Sequence, residues 1–193
     1  GLGREIVLAF SDAGADVVIT SRKIDSCEEL AKEVEEKTGR TAMPFACHVG
    51  YWDQCDTLID AVYDRFGRVD VLVNNAGCFP TKAQTTEDGF ELQIGVNHLA
   101  HVKLTLGLLP QLLAAPAARV ITVSSMLHKK GQIDPTSFRT TSGYNAQTAY
   151  AQSKLANVLF AFALARRLEG TSVTSNALHP GGVRTDIVRD LPW

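Results

Sequence analysis

A chain of 193 residues with 45% hydrophobic and 21% charged residues has the profile of one soluble globular domain, which sets aside disordered and fibrous classes. The formal net charge of −2 and the lack of any long Lys/Arg run leave no electrostatic footprint for nucleic acid or an anionic membrane. The longest apolar stretches, such as Leu155–Leu164, are amphipathic or too short to cross a bilayer, and the first residues lack the basic-then-apolar layout of a signal peptide.

Along the chain, the first strand expected is Asp16–Thr20, short, apolar and rich in β-branched residues. Ser26 followed by Glu29 has the spacing of a capping box, and Leu30, Ala31 and Val34 then give one apolar helical face before Gly39 can end it. A strand over Ala42–Cys47 follows, then a helix carrying Leu58, Ile59, Val62 and Phe66 that stops at Gly67. Val69–Val73 reads as a strand, and a long helix is expected from about Glu87 toward Ala114, bent near Pro110. Arg119–Val123 is the next strand, Ala149–Leu168 the next helix, and Val173–Leu178 the last strand. Strands alternating with helices of this length predict an α/β, doubly wound parallel sheet of Rossmann-like type, in one domain over residues 1–193. The irregular stretch Met126–Gln147, placed directly after a strand end, is expected to be a functional loop.

The four cysteines, Cys27, Cys47, Cys55 and Cys78, show no C-x-x-C pairing. They fit a reducing compartment such as the cytoplasm, and an anchor elsewhere in a longer protein would not be visible here. His98, His101, His128 and His179 lack metal-ligand spacing, so structural or solvent roles and no metal are expected. Cys47 and Cys55 have no acid, base or elbow context that would make either a nucleophile.

Tyr150 and Lys154 stand four apart at a helix start, so their side chains share one face. An ammonium beside a phenol favours the phenolate, and a lowered Tyr pKa would let Tyr150 exchange a proton near neutral pH. Alone, the spacing is common surface decoration. Its surroundings are not common: Tyr150-Ala-Gln-Ser-Lys-Leu-Ala-Asn-Val-Leu-Phe is preceded by Arg119-Val-Ile-Thr-Val-Ser-Ser, Val96-Asn-His-Leu and Val71-Leu-Val-Asn-Asn-Ala-Gly. This ordered set resembles the short-chain dehydrogenase/reductase family over essentially the whole chain. The run from Asp88-Gly-Phe-Glu through Val96-Asn-His-Leu to His179-Pro-Gly-Gly-Val-Arg-Thr-Asp looks most like its retinol-dehydrogenase-like branch.

The resemblance implies a hydride-transferring oxidoreductase, an alcohol dehydrogenase or carbonyl reductase. It makes Tyr150 the acid/base, Lys154 the residue that lowers its pKa and holds the nicotinamide ribose, and Ser125 the donor to the substrate oxygen. Asn97 helps to hold a proton-relay water. Gly1 and Gly3 match the last glycines of the family's pyrophosphate turn at a helix N-terminus. After the Asp16–Thr20 strand, where an NAD-preferring relative would carry an acid, this chain has Ser21, Arg22 and Lys23. Arg22 can pair with a 2′-phosphate in a bidentate fashion, so NADP(H) is the expected cofactor. Asn75, Ala76 and Gly77 match the segment beside the adenosine ribose, and Pro180, Gly181, Val183 and Thr185 match the nicotinamide-side loop. His48 stands where many relatives carry an Asp facing the adenine, leaving the Val49 backbone as the alternative contact.

The family also implies a strand and part of the glycine turn before Gly1, and a substrate lid and last strand beyond Trp193. The chain is therefore expected to be a fragment of a larger enzyme, incomplete at the first and last strands and with little activity by itself. The branch resemblance suggests a small hydrophobic alcohol, aldehyde or ketone, such as a retinoid or steroid. It also implies a homodimer through the helices matching Glu87–Ala114 and Ala149–Leu168. Two other readings stay open: a non-catalytic nucleotide- or partner-binding domain of the same fold, and a sugar-nucleotide epimerase or dehydratase, which shares the Tyr/Lys spacing.

Overall fold

The computed structural model describes residues 1–183 and 187. They group into two compact units, Gly1–His48 and Val49–Val183 with Ile187, and both are α/β with parallel strands, as expected of a Rossmann-like fold.

In the first unit, helix α1 (Leu2–Asp12) leads to strand β1 (Val17–Ser21), then α2 (Ile24–Thr38) and β2 (Ala42–Ala46). The two strands run parallel in register, Val17 beside Ala42 through Ser21 beside Ala46. Their core follows from two periodicities. Val17 and Ile19 alternate inward from β1, and Cys27, Leu30, Ala31 and Val34 recur at helical spacing on α2. Val7, Leu8 and Phe10 of α1 complete the cluster. The larger aliphatic side chains of this cluster, such as Val34 and Leu30, each contribute roughly 1.5–3 kcal/mol when fully buried. Pro44 sits within β2, which pairs only with β1 among the described residues, so its missing N–H faces no lost ladder bond.

The capping box expected of Ser26 and Glu29 does not form. The helix starts earlier, at Ile24, and Lys23 is its N-cap without a side-chain cap bond. Ser26 is therefore already helical, which leaves it no extended backbone from which to cap. Gly39 does end the helix in the left-handed conformation, with φ 65°, as Gly67 ends the next one at φ 62°.

The second unit contains α3 (Trp52–Phe66), β3 (Val71–Asn74), a short α4 (Leu92–Ile94), α5 (Ala100–Gly107), α6 (Leu109–Ala114), β4 (Ala118–Val123), α7 (Ala146–Arg167) and β5 (Val173–Leu178). Strands β3, β4 and β5 form a parallel sheet with β4 in the middle, and β1 and β3 belong to different sheets among the described residues. Helix α7 packs on β4 and β5, and α3 on α5.

The single long helix expected from Glu87 is broken up. Residues 85–91 make an antiparallel bridge between Thr85 and Glu91, and the buried Glu91 carboxylate caps Gln93 N and Ile94 N at 2.8 and 3.0 Å. A π-helical turn, Gly95–Leu99, joins α4 to α5. The chain breaks again at Leu108, before Pro110, which takes an early position in α6. That is where a proline's missing N–H is harmless. The Met126–Gln147 stretch contains two 3₁₀ turns, Met126–Lys130 and Pro135–Arg139. No described helix is long and apolar enough to cross a membrane.

Candidate active site

Asn145 opens α7 by accepting a hydrogen bond from Thr148 N at 3.0 Å. One turn later Tyr150 and Lys154 face inward together, 9% and 2% exposed. Buried ammonium groups are held by acceptors, and Lys154 Nζ donates to the Val123 carbonyl at 3.1 Å. Asn157 Nδ2 donates to the same oxygen at 3.2 Å, and Ser124 Oγ donates to the Lys154 carbonyl at 2.8 Å. These bonds fasten α7 to the C-terminal end of β4, so Ser124 and Ser125 follow the strand directly into the site.

Ser125 Oγ accepts from Leu127 N at 3.3 Å and lies close enough to the Tyr150 phenol to lower its pKa. The turn after it lies against α7. Gly131 ends that turn where no side chain fits, since a Cβ there would stand 2.5 Å from the Ala151 carbonyl oxygen.

Burial drives both titrations toward the neutral forms. Loss of solvation raises the Tyr150 phenol above its usual 10, with Ser125 opposing. Loss of solvation also lowers Lys154 from 10.5 to about 8, against the nearby Cys78. The expectation that Lys154 lowers the Tyr150 pKa is thus corrected. The ammonium sits 5.6 Å from the centre of the Tyr150 ring and spends one donor on Val123, while the desolvation of the phenol dominates.

Asn97, fully buried in the π turn, uses its whole amide. Its Oδ1 accepts from Cys78 N at 2.8 Å, and its Nδ2 donates to Cys78 O at 3.1 Å and Ser153 Oγ at 3.1 Å. The side chain therefore acts as a stitch between α7 and the segment after β3. π turns often mark functional positions. Gly77 closes the group: a Cβ on it would lie 3.4 Å from Asn97 Oδ1 and 3.7 Å from Lys154 Nζ. Ala76 and Gly77 are exposed here, and Asn75 is half-buried.

Some residues of the site are not marked by any sequence motif. Phe79 lies on the Tyr150 ring, centroids 4.9 Å apart, and Cys78 influences both Tyr150 and Lys154. Tyr144 Oη donates to the Pro80 carbonyl of the same segment, and Gln93 Nε2 donates to Tyr144 Oη, both in partly buried surroundings. The pairing of two polar residues, Gln93 and Asn97, at helical spacing within an apolar run was the available signal. His101 is 1% exposed and held near pKa 3, first by burial and then by Lys154 and His98. Its ring nitrogens have no bond of good geometry, only a loose approach to the Ala76 backbone. His98 Nδ1 meets Asn157 Oδ1 at 3.1 Å.

The remaining expected cofactor residues fall in both units. In the first, Gly1 is the N-cap of α1 and Gly3 lies in its first turn. Ser21 ends β1, its carbonyl accepting from Cys47 N at 2.9 Å. The exposed Arg22 follows and lowers the pKa of His48, whose burial is the larger cause. Ser21, Arg22 and His48 thus gather at the carboxyl end of a parallel strand pair, where open α/β sheets bind ligands. Arg22 makes no ion pair among the described residues. In the second unit, Val49 O accepts from Cys55 Sγ at 3.6 Å. Pro180, Gly181 and Val183 are exposed just after β5, with Gly181 at φ 79°. Thr185 lies outside the described residues. No group of three or more His, Cys, Asp or Glu residues suited to a metal occurs among the described residues.

The second unit suits a nicotinamide ribose: Lys154 Nζ has three donors and one described acceptor, and Ala76 and Gly77 beside it are exposed. In the first unit, taken by itself, the exposed Arg22 can pair with a phosphate.

The family model described as short chain dehydrogenase matches residues 1–192. The chain is 39% identical to human retinol dehydrogenase 13 over 191 residues, 98% of this chain and 58% of that protein. It is 52% identical to mouse retinol dehydrogenase 14 over 124 residues, 64% of this chain and 37% of that one. Thus the chain spans less than three fifths of the length of these relatives. Among solved structures, a protein from Mycobacterium paratuberculosis described as uncharacterized superposes with TM-score 0.83 at 35% identity, covering 98% of this chain and 67% of that one. L-sorbose reductase from Gluconobacter frateurii, complexed with NADPH and L-sorbose, superposes with TM-score 0.80 at 23% identity, covering 99% and 72%, which speaks to the fold alone.

Proposed function

Because the chain belongs to the short-chain dehydrogenase family and is similar to retinol dehydrogenases, we propose that its protein is an NADP(H)-dependent oxidoreductase acting on a small hydrophobic alcohol, aldehyde or ketone, a retinoid among them. The observation that carries this reading is the buried Tyr150–Lys154 pair, fastened by Val123 and Ser124 to the strand end that presents Ser125.

A bound nicotinamide would supply or accept the hydride. This chain's residues handle the oxygen and the proton. With its pKa raised, Tyr150 is a protonated phenol at neutral pH and can donate to a carbonyl oxygen as negative charge develops there. Ser125, close to that phenol, supplies a second donor. Lys154, with its pKa at about 8, is about nine-tenths protonated at pH 7, and two of its N–H groups can hold ribose hydroxyls. Asn97 keeps the Cys78 backbone and α7 in place, so a relay water would rest on its backbone carbonyl rather than its amide.

The test is turnover in the complete reading frame, with NADPH and NADH each presented with a panel of hydrophobic aldehydes and ketones. NADPH oxidation with a retinoid or related aldehyde is expected. Cofactor binding with no turnover across the panel would favour a non-catalytic nucleotide-binding role, and redox-neutral conversion of a nucleotide sugar would favour an epimerase.

Cofactor choice has its own test. An acid at position 22 would repel a 2′-phosphate that the guanidinium attracts. Arg22→Asp is expected to weaken NADPH relative to NADH by about 1.5–3 kcal/mol for one charge-assisted bond, with repulsion adding to it. Equal binding of both nucleotides by the unmutated protein would overturn the NADP(H) assignment.

The second unit also leaves Leu106, Leu113, Leu159 and Phe162 exposed on α5, α6 and α7, between 45% and 61%. Isolated exposed apolar side chains are ordinary, but several on neighbouring helices suit a self-complementary interface. A homodimer is expected by sedimentation, and a monomer at micromolar concentration would refute it.

A further inference from the structure

Gln93 takes no part in that chemistry, yet it is fully buried one turn before Asn97. A buried amide must find partners. Its Nε2 donates to Tyr144 Oη at 2.8 Å and to the Ala146 carbonyl at 2.9 Å. Tyr144 Oη in turn donates to the Pro80 carbonyl at 2.7 Å. The chain Gln93–Tyr144–Pro80 therefore ties three pieces together: α4, the residues that open α7, and the segment following β3.

Asn97 makes the parallel tie one turn further on. It holds Cys78 by both backbone groups and reaches Ser153 on α7. Between Cys78 and Pro80 stands Phe79, whose ring rests on Tyr150. The segment is thus pinned on both sides of the residue that packs against the acid/base, and α7 is pinned at Ala146 and Ser153, on both sides of Tyr150 itself. Asn97 belongs to the expected catalytic set. Gln93 and Tyr144 do not, and the Gln93 Nε2 and the Tyr144 hydroxyl are committed to bonds within the protein, while Gln93 Oε1 is buried without a partner among the described residues.

We propose that Gln93 and Tyr144 are positioning residues that set the placement of Tyr150 against Phe79 and Ser125. This rests on the oxidoreductase reading. The two share one bond and each adds a tie of its own: without the Tyr144 hydroxyl the Pro80 tie is lost, and without the Gln93 amide both Tyr144 and Ala146 lose a donor. A misplacement of about 1 Å at a reacting group can lower a rate about 100-fold. Loss of one of two ties is expected to lower kcat about tenfold.

The experiment uses the complete reading frame and three variants: Tyr144→Phe, which keeps the ring, Gln93→Leu, which keeps the volume, and their combination. Steady-state kinetics should show kcat lowered about tenfold in each single variant with little change in KM for the nucleotide. The double variant should be worse than either single but less than their combined effect, since the Gln93–Tyr144 bond is already lost in both singles. The pH profile should shift on the limb that reports the phenol. Hydrogen exchange supplies a readout independent of turnover, with the backbone amides of residues 148–152 exchanging faster in Tyr144→Phe. Unaltered kcat, pH profile and exchange in a folded Tyr144→Phe protein would overturn the proposal, whatever Gln93→Leu does to thermal stability. Failure of the unmutated protein to oxidise or reduce any substrate would instead count against the oxidoreductase reading, and the exchange experiment would still decide whether the tie orders the start of α7.

Discussion

Tyr150→Phe in the complete reading frame is expected to lower turnover by about 10²–10⁴-fold, the usual contribution of a positioned general acid, while nucleotide affinity stays nearly unchanged. Phenylalanine keeps the ring that packs on Phe79 at 4.9 Å and loses only the hydroxyl that Ser125 approaches. The stability change should therefore be no more than about 1 kcal/mol, the net worth of one hydrogen bond. Turnover, nucleotide titration and thermal unfolding measured on the same preparation separate these effects. Near-wild-type turnover would remove Tyr150 from the chemistry. A large loss of nucleotide binding would mean that the hydroxyl belongs to the cofactor site rather than to proton transfer.

Lys154→Met is expected to abolish turnover and yet make the nucleotide-free protein more stable at pH 7. Lys154 is 2% exposed, and its pKa falls from 10.5 to about 8 on folding because its charge is desolvated. A tenfold change in an acid's ionisation constant corresponds to about 1.4 kcal/mol, so the buried charge opposes folding by on the order of 3 kcal/mol. Below pH 8 both states carry the proton and the penalty is in full force. Between about 8 and 10.5 the unfolded chain keeps a proton that the folded chain has lost, so stability rises with pH. The gap between Lys154→Met and the unmutated protein should accordingly be largest below pH 8 and close toward pH 10.5. Reductive turnover by the unmutated enzyme should decline as pH rises through 8, when the ammonium loses its charge. Denaturant titrations of both proteins from pH 6 to 10 check the first expectation. A variant less stable than the unmutated protein at pH 7 would show that the bond to the Val123 carbonyl outweighs desolvation.

These two residues were legible because their spacing is a property of the helix itself: positions four apart share a face whatever packs against it. The ordered neighbours made the pair specific, since Arg119–Ser125, Val96–Leu99 and Val71–Gly77 each supplied one expected piece of the site. Within the second unit the fold brought Tyr150, Lys154, Ser125, Asn97 and Gly77 together. Arg22 was readable for a different reason. It follows the end of a strand whose β-branched alternation is strong, so its place at a sheet's carboxyl end follows from local pattern alone.

Local pattern was a poorer guide where tertiary contacts set the backbone. From Glu87 to Ala114 the composition favours one helix, but Glu91 caps a new start at Leu92, a π turn carries Asn97, and the path breaks at Leu108. Nothing in the intrinsic propensity of Gly95–Leu99 specifies a π turn; it accompanies the bonds of the Asn97 amide to Cys78 and Ser153, residues 19 and 56 positions away. Gln93 shows the same dependence, since its partners Tyr144 and Ala146 are 51 and 53 residues distant.

The sequence by itself determined the alternation of strands and helices, the parallel character of the sheets, and the identity and spacing of Tyr150, Lys154, Ser125 and Arg22, because each depends on periodicity or on neighbours within a few residues. Only the tertiary structure decided the electrostatic state of the site. The same helical spacing is compatible with a solvated ammonium that lowers the phenol's pKa; placed against the end of β4 and 2% exposed, Lys154 is instead driven toward its neutral amine, and burial holds Tyr150 as its neutral phenol as well. The reason is that desolvation depends on everything that surrounds a group in space, and the neighbours of Tyr150 and Lys154 include the segment after β3, the end of β4 and the Asn97 turn, all remote in the chain.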